Sequence, residues 1–127
     1  MEPDFLCLED VLEIHHDQIQ RYGGREGIRD VRLLASALAM PRAGIGNEYF
    51  HADLFEQAAA YLFHIVKNHP FVDGNKRAAA MAAFVFLKLN GITLQASNRA
   101  FERLVAAVAE GKADKAKITA FLRRHTA

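Results

Sequence analysis

Ten consecutive apolar residues, Ala78 to Leu87, constrain the fold of this chain more than any other stretch. A membrane-crossing helix needs about 20 such residues, so the run is too short to span a bilayer. It reads instead as a helix buried on all sides, and therefore as the central helix against which the others pack. Gly91 stands where that helix should stop. At 127 residues the chain, 1–127, has the length of a single domain, enough to bury a core without cross-links. A hydrophobic content of 51% is incompatible with a disordered chain.

Upstream, Val11, Leu12, His15, Ile19 and Tyr22 recur at helical spacing from Leu8 until Gly23 and Gly24 interrupt them. His15 and His16 are adjacent, so they face different sides of that helix and do not readily share a metal ion; both read as surface or half-buried histidines. The glycine-rich segment Gly23 to Asp30 reads, from its residues alone, as a connector. Asp30 can cap a short helix from Val31 to Met40, ended by Pro41. Ala43 to His51 reads as a second loop, broken by Gly44 and Gly46. Asp53 with Glu56 three residues later has the form of a capping box, and Leu54, Ala58, Tyr61, Leu62 and Ile65 make one apolar face that runs to Asn68. Beyond the central run, Ile92 to Gln95 is a brief extended piece that can pair locally. Phe101, Leu104, Val105 and Val108 mark a helix before Gly111; Ile118, Phe121 and Leu122 mark the last, with Arg123 and Arg124 near its carboxyl end. The expected architecture is all-α, a compact bundle of about six helices around one buried helix.

Chemistry is concentrated in HPFVDGNKR, His69 to Arg77, which opens directly into the apolar run. Pro70 biases His69 away from helical geometry, so the imidazole should sit just past a helix end. Lys76 and Arg77 fall in the first turn of the next helix, where the macrodipole is already positive. Cations placed there are unfavourable until a multiply charged anion docks, and phosphate suits them: Arg77 offers a planar fork, Lys76 a point charge, and Gly74 close backbone approach. Taken singly, each residue has a plainer account. His-Pro can simply end a helix, Phe71 can anchor the core, Asp73-Gly74 is a common turn pair and Asn75 a good helix cap. Those accounts leave two cations against the dipole beside a histidine and a carboxylate, which points to phosphate handling. The chain has no P-loop pattern. By residue type, His69 would accept a proton from an attacking hydroxyl, Asp73 would hold Mg²⁺, Gly74 and Asn75 would donate to phosphate oxygens, and Lys76 and Arg77 would neutralise developing charge. Neither His64 nor His69 has metal-site spacing.

The motif resembles that of the Fic/Doc proteins: His-Pro-Phe, an acidic residue, Gly-Asn, Gly or Lys, and Arg. Lys76 makes it similar to the Doc (death on curing) branch, and RYGGREGIRD followed by LLASALAMPRA, Arg21 to Ala43, is similar to the amino-terminal half of Doc toxins. The resemblance implies a Fic/Doc-like helical fold, ATP and Mg²⁺ as cofactors, the roles just given for His69 to Arg77, and a flap at Gly23 to Asp30 that helps place a protein substrate. Fic proteins generally move AMP from ATP to a protein hydroxyl. Doc toxins transfer the terminal phosphate to a threonine of elongation factor Tu, arresting translation, and a cognate antitoxin neutralises them. Lys76 in place of the usual Gly, and Ala80 where AMP-transferring members often carry a second Arg, favour the Doc-type kinase. Pro70 and Gly74 are the more Fic-like choices and keep AMP transfer as the alternative. A catalytically silent nucleotide- or peptide-binding module is the alternative from another class.

A net charge of +1 without a long basic run argues against a dedicated nucleic-acid binder and for a protein or nucleotide partner. Cys7 is the only cysteine, so no internal disulfide is expected. The start MEPDFLCLED lacks the charged region and apolar run of a signal peptide, which reads as cytoplasmic.

Overall fold

The computed structural model describes residues 2–126. Among them are six helices, α1 (Leu8–Tyr22), α2 (Val31–Ala39), α3 (Leu54–Asn68), α4 (Asn75–Leu89), α5 (Asn98–Ala109) and α6 (Lys115–Arg124). Two-residue strands β1 (Gly44–Ile45) and β2 (Glu48–Tyr49) lie between α2 and α3. The fold is all-α, as the periodicity implies, and the ends follow local chemistry. Asp30 caps α2 by accepting from the N–H groups of Arg32 and Leu33, Ser97 caps α5 and Asp114 caps α6. At α3 only half of the expected capping box forms. Asp53 accepts from the Glu56 N–H at 2.9 Å, and its other oxygen is taken by Arg123 of α6 at 2.7 Å.

The apolar run is less enclosed than its composition suggests. In α4, Ala78, Ala79, Ala82, Ala83, Phe86 and Leu87 are buried, whereas Ala80, Met81, Phe84 and Val85 are only half-buried. The centre is shared with α3, which packs on α2, α4, α5 and α6 and carries the fully buried Ala58, Ala59, Ala60, Tyr61, Leu62 and Ile65. The α3–α4 contact is the most extensive between helices, and both helices bring several buried alanines to the core, small side chains that permit close approach of backbones. Tyr61, fully buried, ties the amino terminus to this pair by accepting from the Leu6 N–H at 2.8 Å; burial pushes its hydroxyl up to about 12.

Two segments depart from expectation. The stretch expected as an open loop closes into a hairpin, with Gly44 opposite Tyr49 and Ile45 opposite Glu48. Only glycine fits at Gly44, since a Cβ there would overlap the Glu48 carbonyl oxygen. The extended piece after α4 pairs at long range, not locally: Leu94 bridges to Thr126, and the Gln95 N–H bonds to the His125 carbonyl. No helix among the described residues is long and apolar enough to cross a membrane.

Candidate active site

α3 ends at His69 and α4 begins after Gly74, so the intervening loop connects the two helices that share the core. His69 is the C-cap of α3, in the left-handed region at φ 50, ψ 54, and is the sole non-glycine residue with positive φ among those described. A side chain there costs about 1 kcal/mol or more. Phe71 offsets it. Its ring is fully buried, which contributes about 2–3 kcal/mol, and its N–H and carbonyl are both held by the Asn75 amide at 2.9 and 3.0 Å. Arg29 adds a second clamp, its guanidinium donating to the carbonyls of His69 (2.7 Å) and Asn68 (2.9 Å). The exposed imidazole of His69 is thus mounted on a fixed backbone.

Gly74, not Asn75, is the N-cap of α4; it takes φ 75 and makes no side-chain cap. Asn75 is the first helical residue and buried, and its amide oxygen and nitrogen each bond to Phe71, which turns the side chain toward the loop. The main chain of the same turn is open. Among the described residues no acceptor meets the N–H groups of Asn75, Lys76 and Arg77, the first turn of a fifteen-residue helix. Lys76 is exposed and outside every ion pair of the described residues. Positive potential and free donors therefore coincide at one helix end.

The Asp73 carboxylate accepts from the Gly74 N–H (2.9 Å) and the Arg25 N–H (3.0 Å), and these bonds, aided by Arg77, hold its carboxyl below the usual range. Arg77 lies beside it: a Cβ on Gly24 would fall 2.8 Å from Asp73 Oδ2 and 2.9 Å from Arg77 Nη2. Arg77 also makes a long bond, 3.4 Å, to the Gln18 carbonyl. His69, Asp73, Gly74, Asn75, Lys76 and Arg77, every residue singled out in the sequence, line one cleft of ≈ 390 Å³, completed by Val66, Val72 and Ala109. Among the described residues no three His, Cys, Asp or Glu side chains converge as a metal cage, and Asp73 is the one carboxylate in the cleft.

The profile of the Fic/DOC family matches residues 5–87, more than half of the chain. The chain belongs to the Fic/Doc family. It is 33% identical over 116 residues, 91% of this chain and 90% of the other, to the protein named Protein kinase doc from Escherichia phage P1. It is also 43% identical to Toxin Doc of Mycolicibacterium smegmatis over 75 residues, a match that spans 59% of this chain and 58% of that protein.

Two contacts around the cleft could not be read from the residues alone. The first is that of Gly23 to Asp30, a connector by its residues and a flap only by the resemblance. Ile28 bridges antiparallel to Phe71, the N–H groups of Arg29 and Asp30 both reach the Pro70 carbonyl, and the Val72 N–H reaches the Gly27 carbonyl. The segment is laid along the motif loop as a short second edge. Its glycines were the available signal, since Gly24 has φ 118 and room for no side chain. The second is His15, which is buried (3% exposed), not superficial, and meets the Asp73 backbone from α1. Its helical register alone gave no sign of a partner 58 residues away.

Proposed function

We propose that this protein is a Doc-type toxin, a protein kinase that uses ATP and Mg²⁺ to phosphorylate a hydroxyl on elongation factor Tu, arresting translation in the cytoplasm, with a cognate antitoxin to restrain it. The observation that carries the reading is the convergence of His69, Asp73, Lys76, Arg77 and three free N–H groups on one cleft. Similarity along nearly the whole length to a protein named as a kinase supports phosphoryl over AMP transfer, as do Lys76 and Ala80.

The residues present suit a magnesium nucleotide. Asp73 is one ionised, hard oxygen donor; each of its oxygens accepts a single N–H and keeps a lone pair, which fits an ion held jointly by one carboxylate and phosphates. When bound, Mg²⁺ supplies charge neutralisation and orientation of the phosphates. The chain does the rest. The N–H groups of Asn75, Lys76 and Arg77 donate to phosphate oxygens, the Lys76 ammonium and Arg77 guanidinium balance charge that grows in the transition state, and His69 accepts the proton of the attacking hydroxyl. Such proton acceptance is worth roughly 10²- to 10⁴-fold in rate.

The test is transfer to purified elongation factor Tu with ATP labelled at the γ or the α position. Label from γ, lost in His69→Ala while ATP affinity stays near wild type, is the expected result. Label from α alone would replace the reading by AMP transfer, which Pro70 and Gly74 favour, and label from neither would leave a binding module.

A further inference from the structure

A second cleft, of ≈ 500 Å³, opens between α6 and the start of α3 and shares no residue with the motif cleft; His51, Glu56, Lys115, Thr119 and Arg123 line it. On its wall Lys115 Nζ stands 3.1 Å from His51 Nε2 and 3.0 Å from His64 Nε2, and 5.7 Å from the centroid of the Phe63 ring. An ammonium only donates, so both imidazoles accept at Nε2 and carry their own proton at Nδ1. His51 Nδ1 is buried without a partner, which leaves Nε2 as the nitrogen through which that ring exchanges protons. One amine therefore touches two neutral bases at the edge of an open cleft. A purely structural link between α6 and α3 would be stronger with a carboxylate as acceptor. None is within bonding distance of Nζ among the described residues. Burial moves Lys115 below the ordinary lysine range, and burial together with the Lys115 charge lowers His51 and takes His64 down to about 4.

We propose that Lys115 is an acyl-acceptor lysine, modified at Nζ by a small acyl phosphate admitted to this cleft, with His51 and His64 as proton acceptors. The free amine attacks the acyl carbonyl carbon. A C–N bond forms, the C–O bond to phosphate breaks, inorganic phosphate leaves with the electron pair, and the proton shed by nitrogen passes to an imidazole Nε2 and on to solvent. The lysine charge that depresses both imidazoles is lost when the amine deprotonates, before it attacks, so both bases are already stronger when the attacking nitrogen sheds its proton. Arg123 spends one nitrogen on Asp53 and lines the same cleft as Lys115, so its remaining guanidinium N–H groups can hold the phosphate of an anionic donor. The acylated nitrogen is neutral and keeps one N–H, so at most one imidazole contact survives and the α6–α3 link weakens.

The full chain incubated with limiting acetyl phosphate near neutral pH, digested, and followed by mass spectrometry, gives the rate at each lysine. Lys115 should be acetylated severalfold faster than the exposed Lys112 and Lys117, because its amine alone of the three stands between two proton acceptors, and its rate should level off at lower pH than theirs. Inorganic phosphate in excess should slow Lys115 and spare Lys117. In a His51→Phe, His64→Phe double variant shown to be folded by circular dichroism, the preference should vanish. Equal rates at Lys115, Lys112 and Lys117 in the wild-type protein overturn the proposal whether or not the variant folds. A preference that persists in the folded double variant overturns the role of the imidazoles.

Discussion

His15 Nε2 lies 2.7 Å from the carbonyl oxygen of Asp73, and the His15 ring stacks on Phe71 with centroids 3.8 Å apart and planes 3° from parallel. The Nε2–H donates to that carbonyl, so α1 braces the motif loop from behind at the residue proposed to hold the metal. A Cβ on Gly74 would fall 3.5 Å from the same nitrogen, so the loop turns directly over the ring. Three residues of the motif are thus registered against one buried side chain.

Replacing His15 by Leu keeps an apolar filling but leaves the Asp73 carbonyl without its donor, a loss of about 1–3 kcal/mol. Urea denaturation should register that loss, and phosphate transfer should fall by more than the unfolded fraction explains. Gln at the same position retains an N–H and should recover part of the rate. Wild-type transfer by a folded His15→Leu protein would show that α1 has no part in ordering the loop.

Gly24→Ala tests the flap. Its Cβ would press on Asp73 Oδ2 and Arg77 Nη2, and at 3.0 Å on Ile19 Cδ1, from a φ of 118 that disfavours any side chain. The expected cost is about 1–3 kcal/mol, with helical content retained and transfer activity strongly reduced, because the crowding falls on two residues of the cleft. Circular dichroism and the labelled-ATP assay together measure both.

Arg29→Ala removes two bonds to the carbonyls that end α3. Stability should drop by about 1 kcal/mol. A larger effect is expected on turnover than on ATP affinity, because the His69 backbone loses the clamp that holds it in the left-handed region while the phosphate-facing N–H groups of α4 are untouched. Isothermal titration with a non-hydrolysable ATP analogue, set beside transfer rates, separates the two.

Acid sensitivity should come in two windows. His64 is held at about 4 by burial, against an ordinary value of 6.5. Between those values the unfolded chain binds the extra proton and the folded one does not, so stability falls as pH drops from about 6.5 to about 4. His64→Gln should flatten that slope in urea midpoints. Asp73 gives a slope of the same sign at lower pH: its depressed carboxyl stabilises the fold above its unfolded value of 3.8, and this is lost only as pH falls further through its folded value. Asp73→Asn should leave the upper window unchanged.

Much of the helical framework was legible in the residues because helices are local. Spacing gave α1, α3, α5 and α6, while Asp30, Asp53 and Gly23 marked ends that depend on neighbours within four residues. The cleft residues were legible too, since Lys76 and Arg77 against a helix dipole make no sense without an anion nearby. What remained hidden depends on contacts distant in sequence. The burial of His15, the lie of Gly23 to Asp30 along the motif loop, and the meeting of Lys115 with His51 and His64 pair residues between 39 and 64 positions apart. Asn75 illustrates the division. The sequence made it a helix cap by local preference, and only the packed loop, which buries Phe71 and must satisfy its N–H and carbonyl, turned that amide inward and left the main chain of α4 to face the cleft.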